Sequence, residues 1–408
     1  MANTIVTPVG NGIIAKEALF QLQNNLVLSD CVHREYKKEF VKVGDSISIR
    51  KPVKFTSTAS ATMSIQDVTE GVTTLTIDNR QHVAWEFLTA DLTLKIEEYS
   101  KRYVEPACIR LANDVEAAIS ANYSAFWLSS GTPGTTPSSF AALGTTAQYM
   151  DDFAIPDDGM RKLVFDPAAR WSMADALKGI YDNSMPKDFV RKGLLGRIAQ
   201  FDIYGAQNTP RHTCGARVDD PAILINNGTL NGNGTPQANT ITLTIDGFAA
   251  DTANSLRVGD SFTIANVFSV NPISKVSTGR LQDFTCQAAL TPAAGAGTIS
   301  VRPNIVTTGP YQNVTAAPID NALLTFRGTN STTFTQNLAF HRNAMALVFC
   351  PLALPDGAAY KARATHDGIS IRVIKDFSMV DDKDIIRLDI LYGTDPIYPE
   401  LGQRLWGQ

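Results

Sequence analysis

This 408-residue sequence lacks the short motifs that usually carry catalysis or ligand binding. Its five histidines form no HExxH pair, and there is no GxSxG, no GxxxxGK[ST] and no GxGxxG after a strand. The Gly-rich stretch at residues 227–239 has neither a lysine nor a helix start, so it does not resemble a phosphate loop. We therefore predict no catalytic residue, no cofactor and no metal ion, and we do not expect an enzyme.

Cysteines are few and widely spaced, and long apolar runs are missing. The five cysteines form no CxxC pair, which is typical of reduced thiols in a cytosolic protein. No apolar run approaches the length of a membrane span. Residues 1–12 have no basic region followed by an apolar core, so we expect no signal peptide. Cytoplasmic synthesis is the expectation that follows.

The net charge of the chain is also small: 36 Lys and Arg and 40 Asp and Glu give −4. That balance argues against a protein that binds nucleic acid over its whole surface. Residues 34–54, however, carry seven basic and three acidic side chains, a local charge of +4. The segment suggests an acidic partner, and a merely solvated amphipathic segment is the alternative. The candidate partner-binding residues are Arg34, Lys37, Lys38, Lys42, Lys51 and Lys54.

The N-terminal part combines a helical pattern with two alternating segments. Residues 12–28 predict a helix, and residues 43–56 and 72–88 alternate as strands around a Thr/Ser-rich loop at 55–71. Paired arms of about fifteen residues would reach about 50 Å at roughly 3.3 Å per residue. A compact domain of about 300 residues has a radius of gyration of only about 19 Å. We therefore expect much of this hairpin to leave its own subunit and lie on a neighbouring copy.

The remaining chain divides by pattern into α/β and all-β parts. Residues 91–128 form the longest helical pattern, in which Pro106 predicts a kink or a junction of two helices. Residues 140–215 read as mixed α/β, whereas about 219–315 contain only short β-prone runs between Gly, Asn and Pro turns. This change predicts an all-β module, most simply a small barrel, inserted into an α/β chain.

One seven-residue phrase occurs twice, as VGDSISI at residues 43–49 and as VGDSFTI at residues 258–264. The flanking sequences do not match, so an internal repeat is not indicated. Gly-Asp favours a turn, and an alternating Ser/Thr–Ile strand can leave it. We interpret each phrase as a Gly-Asp turn followed by the start of a strand, in two unrelated parts of the chain.

The order of these parts resembles the major capsid proteins of tailed bacteriophages, and more narrowly the short-tailed Salmonella phage coat protein group with an inserted β-barrel domain. The stretches that carry the resemblance are LQNNLVLSDCVHREYKKEFVKVGDSISIRKP, RLANDVEAAI, LLGRIAQFDIYGAQNTP, NLAFHRNAMAL and IIRLDILYGTDPIYPELG. The resemblance implies an α+β chain with the Hong Kong 97 phage-type capsid fold: N-arm, extended loop, spine helix in a peripheral domain, and axial domain.

The resemblance also implies a domain plan. The expected limits are 1–40 for the N-terminal arm, 41–90 for the extended loop, 91–130 for the spine helix, 131–218 and 321–380 for the axial domain, 219–320 for the inserted barrel and 381–408 for the return to the peripheral domain.

The sequence departs from the family pattern at two places. The stretch INNGTLNGNGTPQANT has no charge, which puts charge-based bridging between capsomers in doubt, and GTDPIYPELGQRLWGQ has no asparagine, so we expect no covalent crosslinks.

By resemblance, the expected function is self-assembly as pentamers and hexamers into an icosahedral shell around double-stranded DNA. The implied partners are other copies of the chain, a scaffolding protein, a portal and packaged DNA bound without sequence specificity, and no membrane is expected. The implied location is the virion, after assembly in the host bacterial cytoplasm. The alternatives are an encapsulin-like shell around protein cargo and a glycan-binding adhesion protein that uses the inserted β-domain.

Overall fold

The computed structural model describes residues 13–35, 46–63, 65–88, 100–177, 196–226, 236–366, 368–379 and 383–408. These ranges contain four α-helices, α1 (Ile13–Asn25), α2 (Glu105–Ala121), α3 (Phe140–Asp152) and α4 (Pro167–Leu177). The strands of the same ranges are β1 (Ser46–Arg50), β2 (Val72–Thr76), β3 (Asn79–Leu88), β4 (Leu128–Ser130), β5 (Arg161–Phe165), β6 (Arg197–Ile198), β7 (Phe201–Gly205), β8 (Arg211–Thr213), β9 (Asp219–Ile225), β10 (Ile241–Phe248), β11 (Ser261–Val270), β12 (Ser277–Cys286), β13 (Ala296–Arg302), β14 (Leu324–Phe326), β15 (Thr333–Thr335), β16 (Asn337–His341), β17 (Met345–Phe349), β18 (Tyr360–His366), β19 (Ile369–Ser378), β20 (Lys383–Pro396) and β21 (Gly402–Leu405).

The described residues form two compact units, each assembled from three stretches of chain. The first unit draws on residues 1–48, 74–119 and 345–395, and the second on residues 49–73, 120–344 and 396–408. Strands predominate over helices in both units, so the expected α+β class is confirmed.

The first unit is built on a sheet in which β20 lies between β3 and β19, antiparallel to both. Helix α1 packs on β18 and β19 of this sheet. The predicted helix is confirmed, because Ala15, Ala18 and Leu22 recur at helical spacing and are fully buried.

The hairpin predicted from residues 43–56 and 72–88 is present but shorter than expected. Within the described residues β1 pairs with β2, and each of these strands has five residues. Strand β3, the expected outer arm, pairs instead with β20 over ten residues, from Asn79–Tyr392 to Leu88–Lys383. An alternating pattern defines which side chains share a face but not which strand lies alongside, and the 14-residue β20 offers a longer edge than β1 does.

The helical pattern at residues 91–128 is confirmed from Ser100 to Ala121; a 3₁₀ turn follows at Asn122–Ala125, and β4 already begins at Leu128. Residues 91–99 lie outside the described residues. A π-helical turn at Ser100–Val104 precedes α2, and Pro106 is the second residue of α2. Proline is tolerated in a first turn, where its missing N–H would have no helical partner, so the expected break falls immediately before it.

The core sheet of the second unit has the order β4-β21-β16-β5-β7-β6. Two of its pairings are parallel, β4 with β21 and β5 with β7. Strand β5 is followed by Asp166 and then α4, in agreement with the mixed α/β pattern expected for residues 140–215. Apolar residues of α3, α4 and the sheet form its core, namely Leu143, Met150, Leu163, Phe165, Met173, Phe201 and Leu405.

The predicted inserted module is a six-stranded antiparallel sheet with the order β14-β11-β12-β13-β10-β9. Its two ends meet, because the Ile225 N–H donates to the Ala322 carbonyl (3.0 Å) and the Asn321 N–H donates to the Ile225 carbonyl (2.9 Å). Stacked Phe262 and Phe284 lie in its core, with ring centroids 5.8 Å apart. The sheet is thus nearly closed, as expected of a barrel-like module, and its strand β14 lies just beyond the expected limit of residue 320.

The second copy of the repeated phrase opens a barrel strand, as its turn chemistry predicts. Gly259 adopts a φ of +94°, which favours glycine, and β11 begins two residues later at Ser261. In the first copy, residues 43–45 lie outside the described residues, and β1 begins at Ser46.

Candidate assembly surfaces

The tip of the extended loop, residues 55–68, carries an unusual amount of exposed apolar surface. Phe55, Met63, Ile65 and Val68 are 64%, 82%, 83% and 58% exposed. Large exposed apolar patches on soluble proteins mark interaction sites, whereas single exposed apolar residues need no explanation. Four of them within one loop favour a surface that another protein covers.

The two limbs of the loop are joined by side chains rather than by a continuous ladder. The Thr56 N–H donates to Gln66 Oε1 (3.0 Å), and Gln66 Nε2 donates back to the Thr56 carbonyl. Closer to β1 and β2, Arg50 and Glu70 form an exposed ion pair at 3.3 Å. Gln66 therefore fixes the two limbs where regular strand pairing has ended.

The base of the loop is attached to the barrel of its own subunit. Gln237 Nε2 donates to the Tyr311 hydroxyl (2.7 Å) and to the Thr69 carbonyl (3.1 Å), and the same hydroxyl donates to the Thr69 carbonyl (2.9 Å). The Lys54 N–H in turn donates to the Tyr311 oxygen (3.1 Å). Gly71 permits this close approach, since a Cβ there would lie 2.6 Å from Gln237 Cβ. The base of the loop therefore lies on its own subunit, and the expectation that much of the hairpin lies on a neighbouring copy stays a prediction for the tip.

The six basic residues singled out from the sequence do not form one continuous described surface. Lys37, Lys38 and Lys42 lie outside the described residues. Arg34 belongs to the first unit, where its guanidinium lies 3.0 Å from Asp30. Lys51 and Lys54 belong to the second unit and line one cleft beside the barrel.

Within that cleft, Lys51 and Lys54 have different environments. Lys51 is half-buried and donates a hydrogen bond to Asn239 Oδ1, whereas Lys54 is exposed. Burial lowers the pKa of Lys51; the charge of Glu400 opposes this shift, and those of Arg302 and Lys54 add to it. Lys51 is therefore a partly desolvated cation rather than part of a solvated face.

A buried polar joint fastens the barrel to the core sheet, and it consists of Tyr123, His212, Asp260, Asp283 and Arg404. His212 Nε2 lies 2.7 Å from Asp260 Oδ1, and His212 Nδ1 lies 2.9 Å from the Tyr123 hydroxyl. Arg404 donates to the carbonyls of Phe126 (2.8 Å) and Gly259 (2.6 Å). Burial lowers the pKa of Arg404 to about 10. Each connection joins residues far apart in sequence.

Three side chains of the described region, His212, Cys214 and Asp260, lie close enough to share a metal ion, with their ligand atoms within 4.8 Å. Both ring nitrogens of His212 are already within hydrogen-bond distance of Asp260 and Tyr123. Burial and the nearby Asp260 carboxylate raise the pKa of the Cys214 thiol to about 11. In this structure His212 and Asp260 serve the joint.

Sequence reasoning missed Gln237, Tyr311 and the joint. Gln237 and Tyr311 are 74 residues apart, and neither has a neighbouring motif. Asp260 is part of the repeated phrase, yet only the folded chain brings it to His212. The sequence contained one weak signal for a role of Asp260, namely that the aspartate of a Gly-Asp turn lies next to its own backbone. In the structure the Arg257 N–H donates to the Asp260 carboxylate (2.8 Å).

None of the helices in the described residues combines the length and the apolar character that crossing a bilayer would require.

The extended loop, the long helix and the inserted barrel together match the class of capsid subunit that the sequence resembles.

Comparison with known families agrees with this class. Residues 9–407 match the family described as P22 coat protein, gene protein 5. Because the match spans nearly the whole sequence, the chain belongs to the P22 coat protein family. It is thus a major capsid protein of the tailed-phage type and builds an icosahedral shell. No curated protein matches the chain with significant sequence similarity.

Several solved structures are similar in shape at low sequence identity. The structure titled Mycobacterium phage Che8 has 12% identity and a TM-score of 0.47, and covers 93% of this chain and 90% of its own. The capsid structure of the cyanophage P-SCSP1u has 10% identity and a TM-score of 0.45, with coverages of 94% and 88%. The head structure of Helicobacter pylori bacteriophage KHP40 has 9% identity and a TM-score of 0.41, with coverages of 89% and 84%. These likenesses are weak, and the assignment rests on the family match.

Proposed function

We propose that this coat subunit assembles as pentamers and hexamers into a closed shell around double-stranded DNA, without itself being an enzyme. Membership of the coat protein family over residues 9–407 carries the proposal. The exposed apolar loop tip supports it, because that surface is suited to burial against another subunit. Assembly is proposed to occur in the cytoplasm of a bacterial host, with a scaffolding protein and a portal as partners.

The proposed division of labour follows the domain plan expected from the sequence. Residues 1–40 serve as the N-terminal arm, 41–90 as the extended loop, 91–130 as the spine helix, 131–218 and 321–380 as the axial domain, 219–320 as the inserted barrel and 381–408 as the return to the peripheral domain. The proximity of strand β14 to the end of β9 supports extending the barrel to about residue 326.

The loop tip is proposed to bind a neighbouring copy of the chain. Met63, Ile65 and Val68 lie on the limb that returns towards β2, and full burial of such a side chain contributes about 1.5–3 kcal/mol. The variant Met63→Ser/Ile65→Ser/Val68→Ser removes this apolar surface and leaves the Gln237 contacts at the loop base in place. It should yield folded subunits that form few or no closed shells in electron micrographs.

A matched control is Ile273→Ser, which changes a side chain of similar exposure, 77%, in the turn between β11 and β12. This variant should assemble as the wild type does. Normal shells from the triple loop variant would show that the tip is not an assembly contact.

The basic segment at residues 34–54 is proposed to bind an acidic region of a scaffolding protein during assembly, or packaged DNA afterwards. Its local charge of +4 in a chain of −4 supports this role. The variant Arg34→Ala/Lys37→Ala/Lys38→Ala should lower scaffold-dependent assembly, measured by light scattering. The effect should shrink with added salt, because exposed charges are screened beyond about 10 Å at 0.1 M. Equal yields and equal salt dependence for variant and wild type would contradict the proposal.

The contents of purified shells separate this proposal from an encapsulin-like shell. Nucleic acid protected from nuclease inside the particles is the expected result, whereas protein cargo alone would favour the alternative. The family match gives no support to a glycan-binding adhesion protein.

A further inference from the structure

A cleft of about 190 Å³ lies between the loop base and the barrel within the second unit. The loop contributes Lys51 and Lys54 to its lining, and the barrel contributes Tyr311 and Gln282. This volume is well below the roughly 300–1,000 Å³ of pockets for drug-sized ligands. It suits one side chain or one small ion.

The charge around this cleft is unbalanced. Lys51, Lys54 and Glu400 are the charged residues in its lining, which leaves a net charge of +1. Two further cations lie close to this set without lining the cleft: Arg302, whose charge acts on Lys51, and Lys275, on which the charge of Lys54 acts. Burial lowers the pKa of Lys275, and the charge of Lys54 lowers it further, which indicates that neighbouring cations are not fully compensated.

Two buried polar atoms next to the cleft have no hydrogen-bond partner. Gln282 is 1% exposed; its Nε2 donates to the Asp283 carbonyl (2.9 Å), and its Oε1 is left without a donor. Arg302 Nε, beside the lining residue Pro303, is left without an acceptor. Buried polar atoms are normally satisfied, so an unused acceptor and an unused donor at one cleft indicate a ligand with complementary groups.

We propose that the cleft binds a compact acidic group, a carboxylate or a phosphate, that carries an N–H or O–H donor next to its charge. The acidic oxygens face Lys51 and Arg302, and the donor faces Gln282 Oε1. Two sources offer this chemistry: an aspartate or glutamate with its peptide N–H on another shell subunit, and a free anion such as hydrogen phosphate. The cleft is complete within one subunit, so its binding is measurable without assembly.

Isothermal titration of unassembled full-length subunits at constant ionic strength tests the proposal. The probes are N-acetyl-aspartate amide, inorganic phosphate and acetate, which has the charge without the donor. The wild type should bind at least one of the first two more tightly than acetate. Lys51→Gln/Lys275→Gln should weaken that binding tenfold or more, and Lys54→Gln, a change at an exposed position, should weaken it by about threefold through the lost charge alone.

Two further variants sharpen the test. Gln282→Leu should abolish the preference over acetate, because the acceptor is gone. Arg257→Gln removes an exposed cation of the same barrel outside the cleft lining and should bind as the wild type does. The proposal is overturned if no probe binds at millimolar concentration, or if Lys51→Gln/Lys275→Gln and Lys54→Gln both bind like the wild type.

Assembled shells distinguish the two sources. If another subunit supplies the acidic group, N-acetyl-aspartate amide should bind free subunits but not shells, where the cleft is filled. If a free anion is the ligand, phosphate should bind both forms with similar affinity. Both results support the proposal that the cleft binds an acidic group. Neither result depends on whether the loop tip serves as an assembly contact.

Discussion

Removing the Asp283 carboxylate should be among the most destabilising single changes in the barrel. Its side chain is 0% exposed and accepts hydrogen bonds from Arg327 Nε (3.0 Å) and Nη2 (2.7 Å) and from Arg280 Nη2 (2.9 Å). The Ser129 N–H and hydroxyl of β4 approach the same carboxylate at 3.3 Å. The substitution Asp283→Ala therefore leaves the guanidinium groups of Arg280 and Arg327 without their carboxylate partner and weakens the contact between the barrel and the core sheet.

The expected magnitude follows from burial. Removing one partner of a buried ion pair costs about 3–5 kcal/mol, because a charge is left uncompensated. Arg280 and Arg327 retain 22% and 28% exposure, so solvent offsets part of the loss. We expect a decrease in the free energy of unfolding of about 3 kcal/mol for Asp283→Ala. Arg280→Ala should cost about 2 kcal/mol, since Arg327 still pairs with the carboxylate.

Urea unfolding of the unassembled subunit, followed by circular dichroism, measures these values. The matched control is Asp251→Ala, which removes an exposed carboxylate of the same barrel that accepts from the N–H groups of Ala294 (3.0 Å) and Gly295 (3.1 Å). It should cost less than about 1 kcal/mol. If Asp283→Ala lost no more stability than this control, burial of the carboxylate would not be what fastens the barrel.

Three other outcomes are expected. Burial raises the pKa of Asp395 although the Thr76 N–H donates to its carboxylate, so ionisation of Asp395 destabilises the fold as pH rises. The variant Asp395→Asn should therefore raise the urea midpoint of unfolding at pH 7 and lose that gain near pH 4. An equal gain at both pH values would contradict this reasoning. The cysteines are all buried, and burial raises the pKa of Cys286, so mass spectrometry should find little alkylation of native subunits by iodoacetamide at pH 8 until urea is added. A fragment of residues 216–328 should fold alone because the barrel closes on itself, and a random-coil circular dichroism spectrum would disprove that limit.

The elements themselves could be predicted from the sequence because their signals are local. Period-2 alternation located β1, β2 and β3, helical spacing located α1, and a change of composition located the inserted barrel. Pro106 indicated an interruption of the helical pattern, because a proline lacks the N–H that a helix interior requires, and the structure places it in the first turn of α2. Family resemblance rested on the same local signals taken in order.

Partners across long sequence separations were decided only by the tertiary structure. Alternation in β3 does not say that β20, about three hundred residues later, lies alongside it. The basic segment looked continuous in sequence, yet Arg34 and Lys51 belong to different compact units. Likewise, no local pattern predicts that Gln237 and Tyr311 hold the loop base or that Asp283 lies between two arginines. A sequence pattern records the face that a side chain takes on its own element, whereas burial and charge pairing depend on what the folded chain brings opposite to it.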